Sequence, residues 1–110
     1  MPSKSNPREL LTPAALHVLL SLVDGPRHGY GIKQDVVERT EGEMSLGPGT
    51  LYEAIHRLLG DGLIQDAGRD GRRKNYRLTR RGRRELESEL ARLDSVVRCA
   101  RGKSLLREPR

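Results

Sequence analysis

Apolar residues recur along this chain at two different periods, and the switch between them divides it into elements. Leu16, Leu19, Leu20 and Val23 fall at helical spacing, and Ala15, Val18 and Leu22 widen that face until it needs cover on more than one side. Thr12 is placed to cap the first turn. Pro13 takes the first helical position, where its missing N–H costs nothing, and Asp24-Gly25-Pro26 ends the run. A second helix enters through His28-Gly29-Tyr30-Gly31, turns Ile32, Val36 and Val37 inward, leaves Lys33, Gln34, Glu38 and Arg39 wet, and stops near Thr40-Glu41-Gly42. The third, over 48–61, has the sharpest pattern. Leu46 packs inward ahead of it, Gly47 caps it, Pro48 opens it, and Leu51, Ile55, Leu58 and Leu59 share one face. Gly62 supplies the left-handed residue that ends many helices. Thr50, Tyr52, Glu53, His56 and Arg57 are left on or near the opposite face.

The period then drops to two. Residues 63–66 and 74–78 read as strands with Ile64, Tyr76 and Leu78 on the inner face, joined by a turn at 69–73. From Thr79 a fourth helix begins, in which Leu86, Leu90, Leu93, Val97 and Ala100 recur in steps of four and three, a coiled-coil seam. No other helix is long enough to lie along it. Five seam residues, at about 1 to 3 kcal/mol each for full burial, favour cover by the same helix of a second copy in a two-fold homodimer. Leu16 and Leu19 of the first helix are assigned to the same interface. The competing arrangement folds helix 4 back on helices 1 and 2 of its own chain. The predicted fold is mainly α with a small β-hairpin wing: a winged helix-turn-helix domain plus a C-terminal dimerisation helix.

Composition limits the core and charge orients it. A chain of 110 residues, 35% hydrophobic and without Trp or Phe, is one modest folding unit. The net charge of +6 is unevenly spread. Residues 69–84 hold nine basic side chains against Asp70 alone, whereas residues 9–66 hold four basic against nine acidic. One end is built to meet a polyanion. Residues 1–9 read as a flexible basic arm, 10–79 as the DNA-binding domain, 80–106 as the dimerisation helix and 107–110 as a tail. The single Cys99 excludes an internal disulfide, no apolar run approaches the roughly 20 residues of a membrane span, and no signal-peptide pattern opens the chain, so a cytoplasmic location is expected.

Enzymatic chemistry has little to stand on. His17, His28 and His56 lie on separate elements, Cys99 has no nearby His, and no phosphate loop, paired-His metal motif or serine elbow occurs. No cofactor and no metal are expected. Two other binding classes compete with a DNA reader: a basic RNA-binding module and a protein-interaction module whose wing meets an acidic partner. Three tyrosines as the only aromatics give no stacking platform for single-stranded RNA, which leaves duplex shape recognition as the RNA alternative.

Five segments in order carry a family resemblance: Leu-Thr-Pro-Ala-Ala-Leu at 11–16, His-Gly-Tyr-Gly-Ile at 28–32, Gly-Pro-Gly-Thr-Leu-Tyr at 47–52, Leu-Leu-Gly-Asp-Gly-Leu-Ile at 58–64 and Tyr-Arg-Leu-Thr at 76–79. Over roughly residues 10–100 the chain resembles the PadR family of bacterial transcriptional regulators. The resemblance implies a winged helix-turn-helix domain, dimerisation through the C-terminal helix, and repression by binding a dyad-symmetric double-stranded DNA operator. It also implies release when a small-molecule effector binds in or near the dimer interface. A place for it between helix 1 and the paired fourth helices would lie near Leu16, Leu19, Leu93 or Val97, although apolar residues there are more often core than pocket. The recognition helix falls on 48–61, the aromatic of the second helix on Tyr30 and the wing on 63–78. Gly47 and Gly31 depart from the family pattern, which commonly has Ser or Thr, and an acidic or larger residue, at these places.

The DNA contacts divide by reach. Free N–H groups at Gly49 and Thr50 suit a phosphate, and the hydroxyls of Thr50, Tyr52 and Tyr30 can donate to phosphate oxygens. Arg57 to guanine and His56 to a purine acceptor are the base-reading candidates. Arg69, Arg72, Arg73 and Lys74 on the wing would reach backbone or an adjacent minor groove. Each has a plainer alternative: the rings of Tyr30 and Tyr52 can pack on the core edge, His56 can be an ordinary solvated residue, and Arg57 can pair with Glu53 or Asp61.

Overall fold

The computed structural model describes residues 11–107; the expected arm at 1–9, and the expected tail beyond Arg107, lie outside them. Seven elements follow in order: α1 (Pro13–Ser21), β1 (Arg27–His28), α2 (Gly29–Arg39), α3 (Pro48–Gly60), β2 (Ile64–Asp70), β3 (Arg73–Leu78) and α4 (Arg80–Gly102). The chain is thus mainly helical, with a small antiparallel sheet and a long last helix.

Local chemistry sets the starts and stops. Thr12 Oγ1 accepts the backbone N–H of Ala15 at 3.1 Å, so α1 begins at Pro13. Gly47 caps α3 without a side chain, and Gly62, at φ +75°, turns the chain out of it. α2 ends through Glu41 and Gly42, both at positive φ, with Thr40 Oγ1 accepting from Met44 N at 3.0 Å. Thr79 begins α4 by accepting from Gly82 N at 2.9 Å while donating to the carbonyl of Gly62 at 2.8 Å, which ties the end of the wing to the end of α3.

α1 packs on α2, α3 and α4. Val18 and Leu19, Ile32 and Val36, Leu46, and Leu51, Ile55 and Leu58 form the core, closed below by Leu63, Ile64 and Tyr76 and at one side by Leu86. Burial of these faces, rather than helix propensity, holds such short helices. Ser21, 1% exposed, is the polar centre of a second cluster: its carbonyl accepts from Arg27 Nε at 2.7 Å, its hydroxyl from Arg39 Nη2 at 3.0 Å, and Asp35 pairs with Arg39 at 2.8 Å and with Arg27 at 3.5 Å.

Three differences from the sequence expectations have physical reasons. The sheet has three strands, in the order β1-β3-β2, because Arg27 and His28 pair with Tyr76 and Asn75 on the free edge of the hairpin. The hairpin is also longer than its alternating pattern: β2 continues to Asp70 through an irregularity between Asp66 and Arg69, where Gly68, at φ +95°, donates to Asp66 Oδ1 at 2.8 Å. Finally, Leu19 is fully buried and Leu86 is 3% exposed within the single chain, so these two, expected at an interface, are core residues with no surface left for a partner. The first turns of α4 fold back on their own domain through Gly82, Leu86 and Glu89.

Candidate nucleic-acid interface

α3 presents the face its pattern implied. Leu51, Ala54, Ile55 and Leu58 are buried, while Gly49, Thr50, Tyr52, Glu53, His56 and Arg57 are exposed. The helix starts without a side-chain cap, so its first amides are open to an acceptor from outside. Tyr52 combines both alternatives considered for it. It is half exposed, yet the hydroxyl end of its ring abuts α2: a Cβ added at Gly29 would fall 2.5 Å from the Tyr52 hydroxyl oxygen. Gly29 is therefore what lets α3 approach the start of α2. Tyr30, one residue on, is also half exposed, with its hydroxyl 3.3 Å from Gln34 Nε2.

The wing brings the charge. Arg69 faces Lys74 and Asp70 faces Arg73 across the strands, and Gly71, at φ +67°, makes the turn. Arg69, Arg72, Arg73 and Lys74 are all exposed. β1 holds the other edge of β3, and this sets the wing beside the start of α2: His28 pairs with Asn75, and His28 Nε2 lies 3.0 Å from Arg73 Nη1. His28 also caps α2, its Nδ1 accepting from Gly31 N at 3.0 Å. Apolar periodicity and charge assign His28 no role at the interface. A histidine directly ahead of an apolar-periodic run was the available signal, since an imidazole nitrogen can cap as a hydroxyl does.

Tyr76, beneath the wing, is buried, and that burial pushes its phenol above the ordinary value, with Tyr52 and Asp66 adding to the rise. Tyr76 thus belongs to the floor of the interface and Tyr52 to its rim.

Two further surfaces lie away from this face. A groove of about 380 Å³, floored by Leu22, Val23, Pro26 and Leu78 and edged by Arg77, Arg80 and Arg83, occupies the junction of α1, the wing root and α4. Along α4, Leu90 is 38% and Val96 53% exposed, with Leu93, Val97 and Ala100 partly covered. Among the described residues, no group of His, Cys, Asp or Glu side chains is arranged to hold a metal, and no helix is long and apolar enough to cross a membrane.

Comparison with known proteins places these features in context. Residues 18–88 match the transcriptional regulator PadR-like family. The chain is 41% identical over 87 residues to an uncharacterized 37.1 kDa protein in transposon TN4556 of Streptomyces fradiae, covering 76% of this chain but 25% of that protein. It is 36% identical over 86 residues to the transcriptional regulator Rv3488 of Mycobacterium tuberculosis, covering 76% of this chain and 78% of that one. Among solved structures, a PadR family transcription regulator of Clostridium difficile shares the fold, with a TM-score of 0.73 at 24% identity over 83% of this chain and 97% of that chain. Bacillus subtilis PadR, solved in complex with operator DNA, superposes with a TM-score of 0.62 at 26% identity over 69% of this chain and 45% of that chain.

Proposed function

The chain belongs to the PadR-like family of transcriptional regulators, which are not enzymes, and we propose that it binds double-stranded DNA at an operator through α3 and the wing. One observation carries this reading: Tyr52 of the polar face of α3 and Arg73 of the wing meet neighbouring residues, Gly29 and His28, at the start of α2, and the exposed arginines and lysine of the wing tip have no protein carboxylate to meet among the described residues. The relative from Bacillus subtilis, solved with operator DNA, supports the same assignment. Gly49, Thr50, Tyr30 and Tyr52 position the backbone, His56 and Arg57 face the bases, and Arg69, Arg72, Arg73 and Lys74 draw in phosphate.

The chain works as a homodimer on a dyad-symmetric operator, and it acts as a repressor. Support for the dimer is the apolar surface of α4 beyond its first turns, at Leu90, Leu93, Val97 and Ala100, which its own domain does not fully cover. Leu16 on α1 is only partly buried against the core and keeps some surface for such a contact. A small-molecule effector releases the DNA. The groove at the wing root is a better place for it than the position beside Leu19, which is filled by the core. The protein acts on DNA inside the cell, in the cytoplasm.

A gel shift at one salt concentration tests the reading, comparing the DNA upstream of the coding sequence with random DNA and with duplex RNA. Tighter binding to the upstream DNA is expected; equal affinity for all three would remove operator recognition and favour a general basic module.

A further inference from the structure

His28 presents a ring whose two nitrogens both face donors. Nδ1 lies 3.0 Å from the backbone N–H of Gly31, and Nε2 lies 3.0 Å from Nη1 of Arg73. A neutral imidazole has one lone pair to offer, an imidazolium has none, and a guanidinium only donates. The Gly31 amide, in the first turn of α2, has no acceptor within the helix, so it holds the lone pair of Nδ1. Nε2 then carries the hydrogen. The N–H of Arg73 is aimed at Nε2, so in this tautomer two N–H groups confront one another and neither has an acceptor.

Their positions are fixed by backbone and not by flexible reach alone. His28 is paired with Asn75 in the sheet, two residues from Arg73 on the same strand. Asp70, the register partner of Arg73, forms no ion pair with it among the described residues. A turn of the exposed Arg73 guanidinium relieves that opposition and lets both N–H groups, whose nitrogens are 3.0 Å apart, converge on a single oxygen beside them. Tyr52, half exposed, sets a further hydroxyl against Gly29, the residue after His28.

We propose that the Nε2–H of His28 and the guanidinium of Arg73 together clasp one phosphodiester of double-stranded DNA. The proposal rests on the DNA-binding reading above and deepens it. It assigns a phosphate contact to a residue on neither α3 nor the hairpin, and it makes the bound phosphate the acceptor that joins wing to α2.

The experiment has two arms. Long-range proton–nitrogen spectra of the His28 ring should show the hydrogen on Nε2 in the free chain, and the Nε2 signal should move on adding a duplex of roughly 30 base pairs of arbitrary sequence, but not on adding inorganic phosphate at equal phosphate concentration. The hydrogen on Nδ1, or an equal response to inorganic phosphate, overturns the clasp. In the second arm, His28→Ser keeps a capping oxygen and a neutral side chain but cannot reach the phosphate. It should stay folded and bind the same duplex about tenfold more weakly with an unchanged salt slope, whereas Arg73→Ala lowers that slope by about one charge. The double variant should lose less than the product of the two single losses, because the two groups share one oxygen. A folded His28→Ser that binds as the unaltered chain does overturns the clasp and leaves the DNA-binding reading standing. Failure of the unaltered chain to bind any duplex removes both. Should His28→Ser not fold, the spectra decide alone.

Discussion

Around Ser21, three elements are held together by charge in a place where the chain has little apolar surface to spend. Burial pushes the Asp35 carboxyl up, but hydrogen bonds from Arg39 and Ser21 and the charges of Arg39 and Arg27 outweigh it and hold the group below the ordinary carboxylate value. Burial, helped by the charge of Arg39, also lowers His17 from its usual 6.5. Both shifts act in one direction. A group with a lowered folded value binds fewer protons in the native than in the unfolded state, so stability is complete above the unfolded value and declines as pH falls through the folded one. We therefore expect urea midpoints to fall as pH is lowered from about 7 to about 5.5, the histidine window, and His17→Gln to flatten that stretch. The carboxylate contribution of Asp35 is lost only at lower pH. Gly82 gives a second residue-scale test. By helix propensity alone, Gly82→Ala would gain about 1 kcal/mol. Its Cβ, however, would strike the carbonyl of Leu63, a backbone atom that cannot swing aside. The clash wins, and the substitution should destabilise by about 1 to 3 kcal/mol in urea titrations.

Caps and glycines made most helix boundaries legible in the sequence: Thr12, Pro13, Gly47, Pro48, Gly62 and Thr79 all stand where their chemistry suggests. What escaped had no periodic signal. β1 is two residues long, too short for an alternation, and exists only because Tyr76 and Asn75 offer a strand edge. The irregularity at 66–69 breaks the alternation that would have announced the full length of β2. On α4, spacing showed an apolar seam but not which part of it the chain keeps for itself. Glu89, buried between Leu86 and Leu93 in sequence, is held by Arg92 through bonds of 3.0 and 2.8 Å, and these keep its carboxyl below the usual range. The exposure of the candidate site was legible in the same measure. Exposed positions on α3 and the wing follow from their patterns, whereas His28 entered only when β1 brought it to Arg73. At this scale the wing can be tested as a unit. Arg72→Ala with Arg73→Ala should weaken binding to every duplex and reduce the salt slope by up to about two charges; an unchanged slope would show that the wing tip does not touch phosphate.

A single domain of this kind offers one reading helix, and a dyad operator needs two. Whether the molecule supplies them turns on the outer surface of α4. Leu90→Asp with Leu93→Asp puts two charges on that surface while leaving the buried Leu86 alone, and sedimentation should then report a monomer; a dimer that survives would place the contact elsewhere. Weakened DNA binding should accompany the monomer, since the two half-sites would no longer be held together. The most direct measurement is a hydroxyl-radical footprint of the unaltered chain on the DNA upstream of its coding sequence. Two protected patches of equal strength, related by a dyad and centred about one helical turn apart, roughly 34 to 36 Å, are the expected result. One isolated patch, or even protection along the whole fragment, would contradict a two-fold operator reader.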